Sequence, residues 1–243
     1  MTQTSKLAAV RAVSFDLDDT FWDCAPAIIK AEETLYAWLE NHYPEVALKH
    51  SREAMLELRA QMYQTHPHLK TDVSMMRKAF LQLILQDHDN SEQRAADAFA
   101  VFYRARSEVV LYEGTHELLN ALKTTHKLAA ITNGNADLQL IGLEHYFDDI
   151  QLANLDNPPK PASDMFDACC NNLGIRNDQL LHVGDNPETD VIGGHLAGAL
   201  TVWFNQTGEP WPDTMSVPDI CGPDFRGPDF EVSSLPELQS LLS

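Results

Sequence analysis

Two kinds of hydrophobic spacing divide the chain. Between Asp18 and roughly Val110 apolar residues recur every three or four positions, and almost nothing reads as strand. Ile28, Ala31, Leu35, Trp38 and Leu39 predict a helix over 26–41, and Met55, Leu58 and Met62 one over 51–63. Met76, Phe80, Leu83 and Ile84 predict a third over about 72–87, and Ala95, Phe99, Phe102 and Tyr103 a fourth over about 91–107. Outside this stretch short apolar runs alternate with helical patterns. Val10, Ala12, Val13 and Phe15 predict a buried strand, followed by strands at about 127–131, 149–153, 180–183 and 199–203. Helices are expected at 116–124, around Leu138 and Ile141, and from Ser163 onward, with Thr115 and Asn135 as N-caps of the first two. A linker rich in Pro, Asp and Gly covers 205–228. Phe230-Glu-Val232 reads as an edge strand, and Ser234-Leu-Pro-Glu237 as a capping box opening the last helix.

This alternation predicts an α/β fold with a doubly wound, mostly parallel sheet and an inserted all-helical cap. The expected boundaries assign 1–21 and 111–243 to the core and 22–110 to the cap.

The chemistry gathers where the strands end. The first runs into Phe15-Asp16-Leu17-Asp18-Asp19-Thr20, and strand alternation puts Asp16 and Asp18 on the same side. Two close carboxylates repel each other and resist burial unless a cation or a shared proton compensates them. A hard divalent ion such as Mg²⁺ is the simplest solution. Such a pair also divides readily into a nucleophile and a proton carrier. Taken alone, it reads more simply as a solvated acidic turn after a strand. Three further segments argue otherwise: the second strand ends in Thr132-Asn133-Gly134-Asn135, another in Gly184-Asp185-Asn186-Pro187-Glu188-Thr189-Asp190, and Pro158-Pro159-Lys160-Pro161 supplies an ammonium. In an open parallel sheet the carboxyl ends of the strands share one edge, where ligands bind. The convergence describes a phosphate-sized site with a metal. Asp19 and Thr20 read as turn and cap residues.

The formal net charge of −19 argues against nucleic acid or an anionic membrane surface as a partner. A phosphate ester must then be drawn in by local positive charge from the metal, Lys160 and backbone amides. No apolar run approaches the roughly 18 residues of a membrane span, and Met1 to Lys6 lack the apolar core of a signal peptide. The four cysteines, Cys24, Cys169, Cys170 and Cys221, show no metal-site spacing, which suits reduced thiols in a cytoplasmic protein.

FDLDDT, ITNGN, the Lys160-Pro161 pair and GDNPETD resemble, in order and spacing, the four motifs of the haloacid dehalogenase (HAD) superfamily. The resemblance spans residue 10 to about 205. Within that superfamily the chain looks most like helical-capped bacterial phosphatases acting on the ribityl-aminouracil phosphate precursor of riboflavin or on FMN. It implies a Rossmannoid core and a Mg²⁺-dependent phosphatase acting on a small-molecule phosphate, as a monomer or dimer. Asp16 would be the nucleophile, and Asp18 the proton carrier. Asp16, Asp185 and the backbone carbonyl of Asp18 would hold the metal, with Asp190 in support. Thr132, the backbone N–H of Asn133 and Lys160 would bind the phosphoryl group, Lys160 also neutralising its charge. Among cap residues, Arg77 is the expected cation at the leaving group and Trp22 its aromatic wall. A phosphotransferase or mutase keeps the same motifs. A dehalogenase pattern lacks a carboxylate at the position of Asp18, and a non-catalytic phospho-ligand binder usually loses the nucleophile or the lysine.

Overall fold

A computed structural model describes residues 6–212, 221 and 225–243. Six short strands form one sheet: Ala12–Phe15 (β1), Lys127–Thr132 (β2), Asp149–Leu152 (β3), Leu180–Gly184 (β4), Leu200–Phe204 (β5) and Phe230–Val232 (β6). Their order is β3-β2-β1-β4-β5-β6, and every neighbouring pair runs parallel. The chain winds outward from β1 to β3 and returns to β4, so the order reverses at β1, where such sheets open a crevice. Val13, Phe15, Leu128, Ala130, Leu181 and Val183 pack into one apolar cluster. Ala12, Ala129, Ile131 and Leu180 pack into another with Phe166, Cys169 and Cys170 of the helix Asp164–Leu173. Both faces are therefore covered, as an all-parallel sheet requires. Part of the 205–228 linker, residues 213–220 and 222–224, lies outside the described residues.

Between β1 and β2 the described helices Cys24–His42, Pro44–Lys49, Arg52–Thr65, Val73–Ile84 and Ser91–Arg106 surround a cluster of their own, including Leu35, Leu39, Met76, Phe80 and Phe102. Three of them start on side-chain caps, with Asp23, Ser51 and Asp72 accepting from the N–H of Ala25, Ala54 and Met75. Pro44–Lys49 is too short to leave a periodic signature, and the sequence did not reveal it. The segments entering and leaving this helical unit pair with each other: Tyr112 N–H donates to the Phe21 carbonyl, and Trp22 bridges Leu111. No helix among the described residues is long and apolar enough to cross a membrane.

Two expected N-caps belong to neighbours. Gly114, at φ 87°, caps the helix Thr115–Lys123, and the buried Thr115 is its first residue, its hydroxyl donating to the Tyr112 carbonyl. Asp137 caps Leu138–Ile141 by accepting from Gln139 and Leu140 N–H. Asn135 is thereby free to reach the helical unit, where its Nδ2 donates to Ser74 Oγ at 3.0 Å.

Arg77 lies inside the helical unit. Its Nη1 donates to Glu32 Oε1 at 2.7 Å, Arg59 pairs with the same oxygen, and its guanidinium carbon sits 3.6 Å from the Phe102 ring centre. Burial pulls its pKa down, and Glu32 resists the fall. A side chain so engaged holds helices together and does not project to a leaving group. Arg77→Met should lower unfolding free energy by about 1–3 kcal/mol, since it breaks a largely buried ion pair and a cation–π contact. Chemical denaturation measures this loss. A raised KM with unchanged stability would return Arg77 to the substrate.

Candidate active site

The register of the sheet assembles the site. Phe15 pairs with Ala130 and with Val183, so β1, β2 and β4 deliver their ends at one level. Asp16 leaves β1 with its N–H bonded to the Val183 carbonyl at 2.8 Å, Thr132 ends β2, and Asp185 follows β4. Lys160 arrives on the loop before Asp164–Leu173, and Asp190 from the turn Pro187–Ile192. Two glycines permit the close approach. A Cβ on Gly184 would lie 2.2 Å from Asp190 Cγ, and one on Gly134 2.3 Å from Asp18 Oδ2.

Carboxylate oxygens of Asp16, Asp185 and Asp190 all lie within 4.8 Å of one another. Lys160, fully buried, donates from Nζ to Asp190 Oδ1 at 2.6 Å and lies 3.1 Å from Asp16 Oδ1. No hydrogen bond of full geometry reaches Asp16 Oδ1, yet the ammonium stands close enough for Asp16 to raise the Lys160 pKa. Burial lifts the Asp16 carboxyl to about 7, Lys160 resisting and Asp190 and Asp18 adding to the rise. Burial, then Asp190, Asp16 and Asp19, lift Asp185 to about 8. Asp190 goes the other way: burial opposes its charge, but Lys160 and His182 hold it well below the usual carboxylate range. Burial works against the Lys160 charge too, and Asp16 and Asp190 outweigh it and raise its pKa. One ammonium among these carboxylates leaves a negative surplus. An all-oxygen donor set with an orphaned oxygen on Asp16 fits a hard cation such as Mg²⁺. Asp190 already serves Lys160, His182 and the Asn186 N–H, so Asp16 and Asp185 are the carboxylates open to a metal.

Behind Asp190 stand two residues that the sequence reading missed. His182 places Nε2 3.1 Å from Asp190 Oδ1 and Nδ1 2.9 Å from Ser14 Oγ. Burial and Lys160 push its pKa down to about 4, so the imidazole is neutral near pH 7. Nε2–H then faces the carboxylate, and Ser14 donates its hydroxyl proton to Nδ1. Their signal was a polar residue in each of two apolar strands, at positions that prove to be paired in register.

Asn133 uses its side chain on the peptide of Lys160, accepting from its N–H at 2.8 Å and donating to its carbonyl at 2.9 Å. The side-chain amide thus fixes the lysine loop, and the expected phosphoryl donor, the backbone N–H of Asn133, takes no part in these two bonds. Thr132 Oγ1 is buried and accepts from the Gly134 N–H at 3.0 Å. Asp19, at φ 59°, accepts from the Cys24 N–H and is a turn residue.

Asp18 is tethered from both segments that connect the two units. Trp22 is fully buried, and its indole N–H donates to Asp18 Oδ1 at 2.8 Å; it orients the carboxylate and is no exposed wall for a substrate. Arg106 donates from Nη2 to both Asp18 oxygens at 2.5 Å. In the sequence Arg106 looks like an ordinary cation in the last turn of an amphipathic helix, which hid it. Beside Asp185 a cavity of about 510 Å³ opens, lined by Asp19, Asp23, Tyr112, Trp203 and Asn205 among others.

Comparison with known proteins agrees with this geometry. The haloacid dehalogenase-like hydrolase family matches residues 10–198. Among curated relatives, the 5-amino-6-(5-phospho-D-ribitylamino)uracil phosphatase YigB of Escherichia coli K12 is 30% identical over 244 residues, covering 97% of this chain and 98% of its own. Human N-acylneuraminate-9-phosphatase is 30% identical over 248 residues, with 97% and 95% covered. A crystal structure of a 2-haloacid dehalogenase from Pseudomonas syringae pv. tomato DC3000 superposes with a TM-score of 0.83 at 32% identity, over 96% of this chain and 98% of that one.

The shifted carboxylates make a prediction for metal-free protein. Asp16 and Asp185 titrate near 7 and 8 when folded, against 3.8 ordinarily, so folding favours their protonated forms. Their contribution is present below the ordinary value and lost as pH rises through the folded values. Asp190, shifted downward, contributes evenly across that window. In chelator the Tm should therefore fall between about pH 5 and about pH 8, and added Mg²⁺ should raise it more at the alkaline end. A flat Tm in chelator would contradict the charge crowding.

Proposed function

The chain belongs to the haloacid dehalogenase-like hydrolase family, and from that premise we propose that it is a Mg²⁺-dependent phosphomonoester hydrolase working through an aspartyl-phosphate. The observation that carries the reading is the pairing of Asp16 with Asp18. One carboxylate has an orphaned oxygen beside a buried ammonium, and the other, two residues on, is held on the far side by Trp22 and Arg106.

Asp16 attacks phosphorus and the bond to the leaving oxygen breaks, with Asp18 giving that oxygen its proton. Water then attacks the aspartyl-phosphate, Asp18 takes the proton, and the bond between phosphorus and Asp16 breaks to release phosphate. Lys160 and Thr132 sit on the phosphoryl side and balance its charge. Asp16, Asp185 and the Asp18 carbonyl are the groups that would hold Mg²⁺, which when bound supplies further charge neutralisation at the phosphoryl oxygens. Asn133 and Asp190 act on Lys160, the first by fixing its backbone and the second by pairing with its ammonium. The residues from 22 to 110 serve as a cap, with 1–21 and 111–243 as the catalytic core.

For substrate we propose ribityl phosphates, the riboflavin precursor or FMN. The support is the full-length similarity to the Escherichia coli enzyme of that name. The four cysteines are free, which suits a reducing, cytoplasmic setting. The structural neighbour named as a 2-haloacid dehalogenase favours one rival reading. Displacing halide needs no proton donor, however, whereas Asp18 supplies a second carboxylate two residues from the nucleophile. Incubation with 2-chloropropionate should release no chloride.

Hydrolysis of para-nitrophenyl phosphate should vanish in EDTA and return with Mg²⁺. Asp16→Asn should abolish turnover and trapping of the phosphoenzyme. Asp18→Asn should slow an alkyl phosphate by about 10²–10⁴-fold and the burst with an aryl phosphate far less, because aryloxide leaves without a proton. Equal burst losses would remove Asp18 as the acid. In a panel of phosphorylated metabolites the ribityl phosphates should show the highest kcat/KM. A nucleotide or two-carbon phosphate ranking well above them would overturn the substrate alone.

A further inference from the structure

Inside the helical unit two arginines share one carboxylate oxygen. Arg59, on the helix Arg52–Thr65, donates to Glu32 Oε1 through Nη1, and Arg77 Nη1 donates to the same oxygen at 2.7 Å. Two guanidinium groups on one carboxylate leave a positive surplus. Burial pulls the Arg77 pKa down, and the charge of Arg59 adds to the fall. Arg59 Nε and Nη2 have no acceptor among the described residues, yet neither is sealed from solvent. With its side chain 17% exposed, Arg59 keeps one whole edge of its fork sheltered, unused and reachable.

Arg59 and Glu32 line a cavity of about 340 Å³ between the helices Cys24–His42 and Arg52–Thr65. Leu35, Met55 and Phe80 are its buried floor, and its rim carries Ile29 and Leu56, which are 58% and 50% exposed. Large apolar side chains this open to water, around a concave apolar floor, gain from contact with an apolar body. The other charges of the rim stand in water. Arg52 and Glu33 approach to 3.8 Å as an exposed pair, and Glu53 is exposed in the first turn of its helix. Solvent screens these groups, whereas the Arg59–Glu32–Arg77 cluster is largely withdrawn from it, so the inner end of the cavity is positive by one charge. One surplus charge matches one negative charge. A planar carboxylate fits the free Nε–Nη2 edge with two parallel hydrogen bonds, while a phosphate dianion would bring excess charge beside Glu32.

We propose that the helical unit carries a binding site of its own, separate from the sheet edge, for a small monocarboxylate with an apolar body. The carboxylate pairs with Arg59, and the body lies on Leu35, Met55 and Phe80 between Ile29 and Leu56. The juxtaposition behind this is an open guanidinium edge at the inner end of an apolar cavity.

The test titrates 4-ethylbenzoate into the full chain with isoleucine and leucine methyl groups labelled for NMR. Two controls run beside it: 4-ethylbenzyl alcohol, which keeps the body, and acetate, which keeps the charge. The benzoate should bind with a Kd of about 0.1–1 mM and move the methyl signals of Ile28, Ile29, Leu35 and Leu56. It should exceed the alcohol by about 10-fold, the low end for a hydrogen bond to a charged donor. Acetate should leave those signals in place. Arg59→Met should bring acid and alcohol to equal affinity, and Leu56→Asp, at an exposed position, should weaken both. Equal binding of acid and alcohol by the wild type overturns the proposal without any variant having to fold, and so does an absence of methyl shifts at millimolar ligand. A preference for the acid that survives Arg59→Met overturns it as well. Shifts confined to the strand ends, such as Ile131, would assign the carboxylate to the sheet-edge site and overturn it too. Sedimentation covers the remaining occupant: a wild-type dimer that Leu56→Asp dissociates would give the rim to a second copy of the chain and end the proposal.

Discussion

The buried ion pair between Lys160 and Asp190 is the contact on which the rest of the site depends. Carboxylates crowded at the edge of a two-sided parallel sheet cannot all be charged without compensation. Lys160 meets this demand unevenly. It bonds Asp190 and only approaches Asp16, and Asp185 receives no ammonium contact among the described residues. One carboxylate is thereby fully occupied, while two remain poised for an external cation. Even compensation would have produced a stable but inert polar cluster. The asymmetry is maintained from behind, by the neutral His182 on Asp190, itself held by Ser14, and from the side, by the clamp of Asn133 on the lysine backbone.

The helical unit completes this arrangement. Asp18 reaches its working position through Trp22 on the way into that unit and Arg106 on the way out. Asn135 and Asp137 of the loop after β2 bond Ser74 and Ser107 in the same unit. The sheet therefore positions Asp16 and Thr132, and the connections between the units position Asp18. A change in how the units sit against each other would act first on Asp18 and leave the Lys160–Asp190 pair in place.

What the sequence revealed follows from the same division. Asp16, Thr132 and Asp185 were legible because they stand at strand ends, and in a parallel sheet a strand end is already a location in space. Lys160 was legible because prolines isolate it in a loop. Ser14 and His182 were harder, since a single polar residue in an apolar strand means little until register is known. Arg77 and Arg106 illustrate the limit. Both are arginines on amphipathic helices, and helical periodicity shows which face is apolar without saying which cation turns inward toward another helix or toward the core. Sequence favoured Arg77; the fold gives Arg77 to Glu32 and Phe102 and brings Arg106 to the site. Trp22 failed as a wall for a related reason, because a residue at a crossing point is enclosed by both units.

A shared sheet leaves the reaction undecided, since this architecture superposes on a protein named as a dehalogenase as readily as phosphatase sequences align with it. The distinction must come from a group whose task differs between the two reactions. Asp16 does not qualify, because a carboxylate can attack carbon or phosphorus. Lys160 does not, because it steadies negative charge in either case. Asp18 does, since the role proposed for it, carrying a proton to an alkoxide and away from water, has no counterpart in the departure of halide. The three hydrogen bonds that hold Asp18 come from residues far apart in the chain. Its two anchors, Trp22 and Arg106, enter from the two ends of the helical unit, so the place of this carboxylate depends on both units at once.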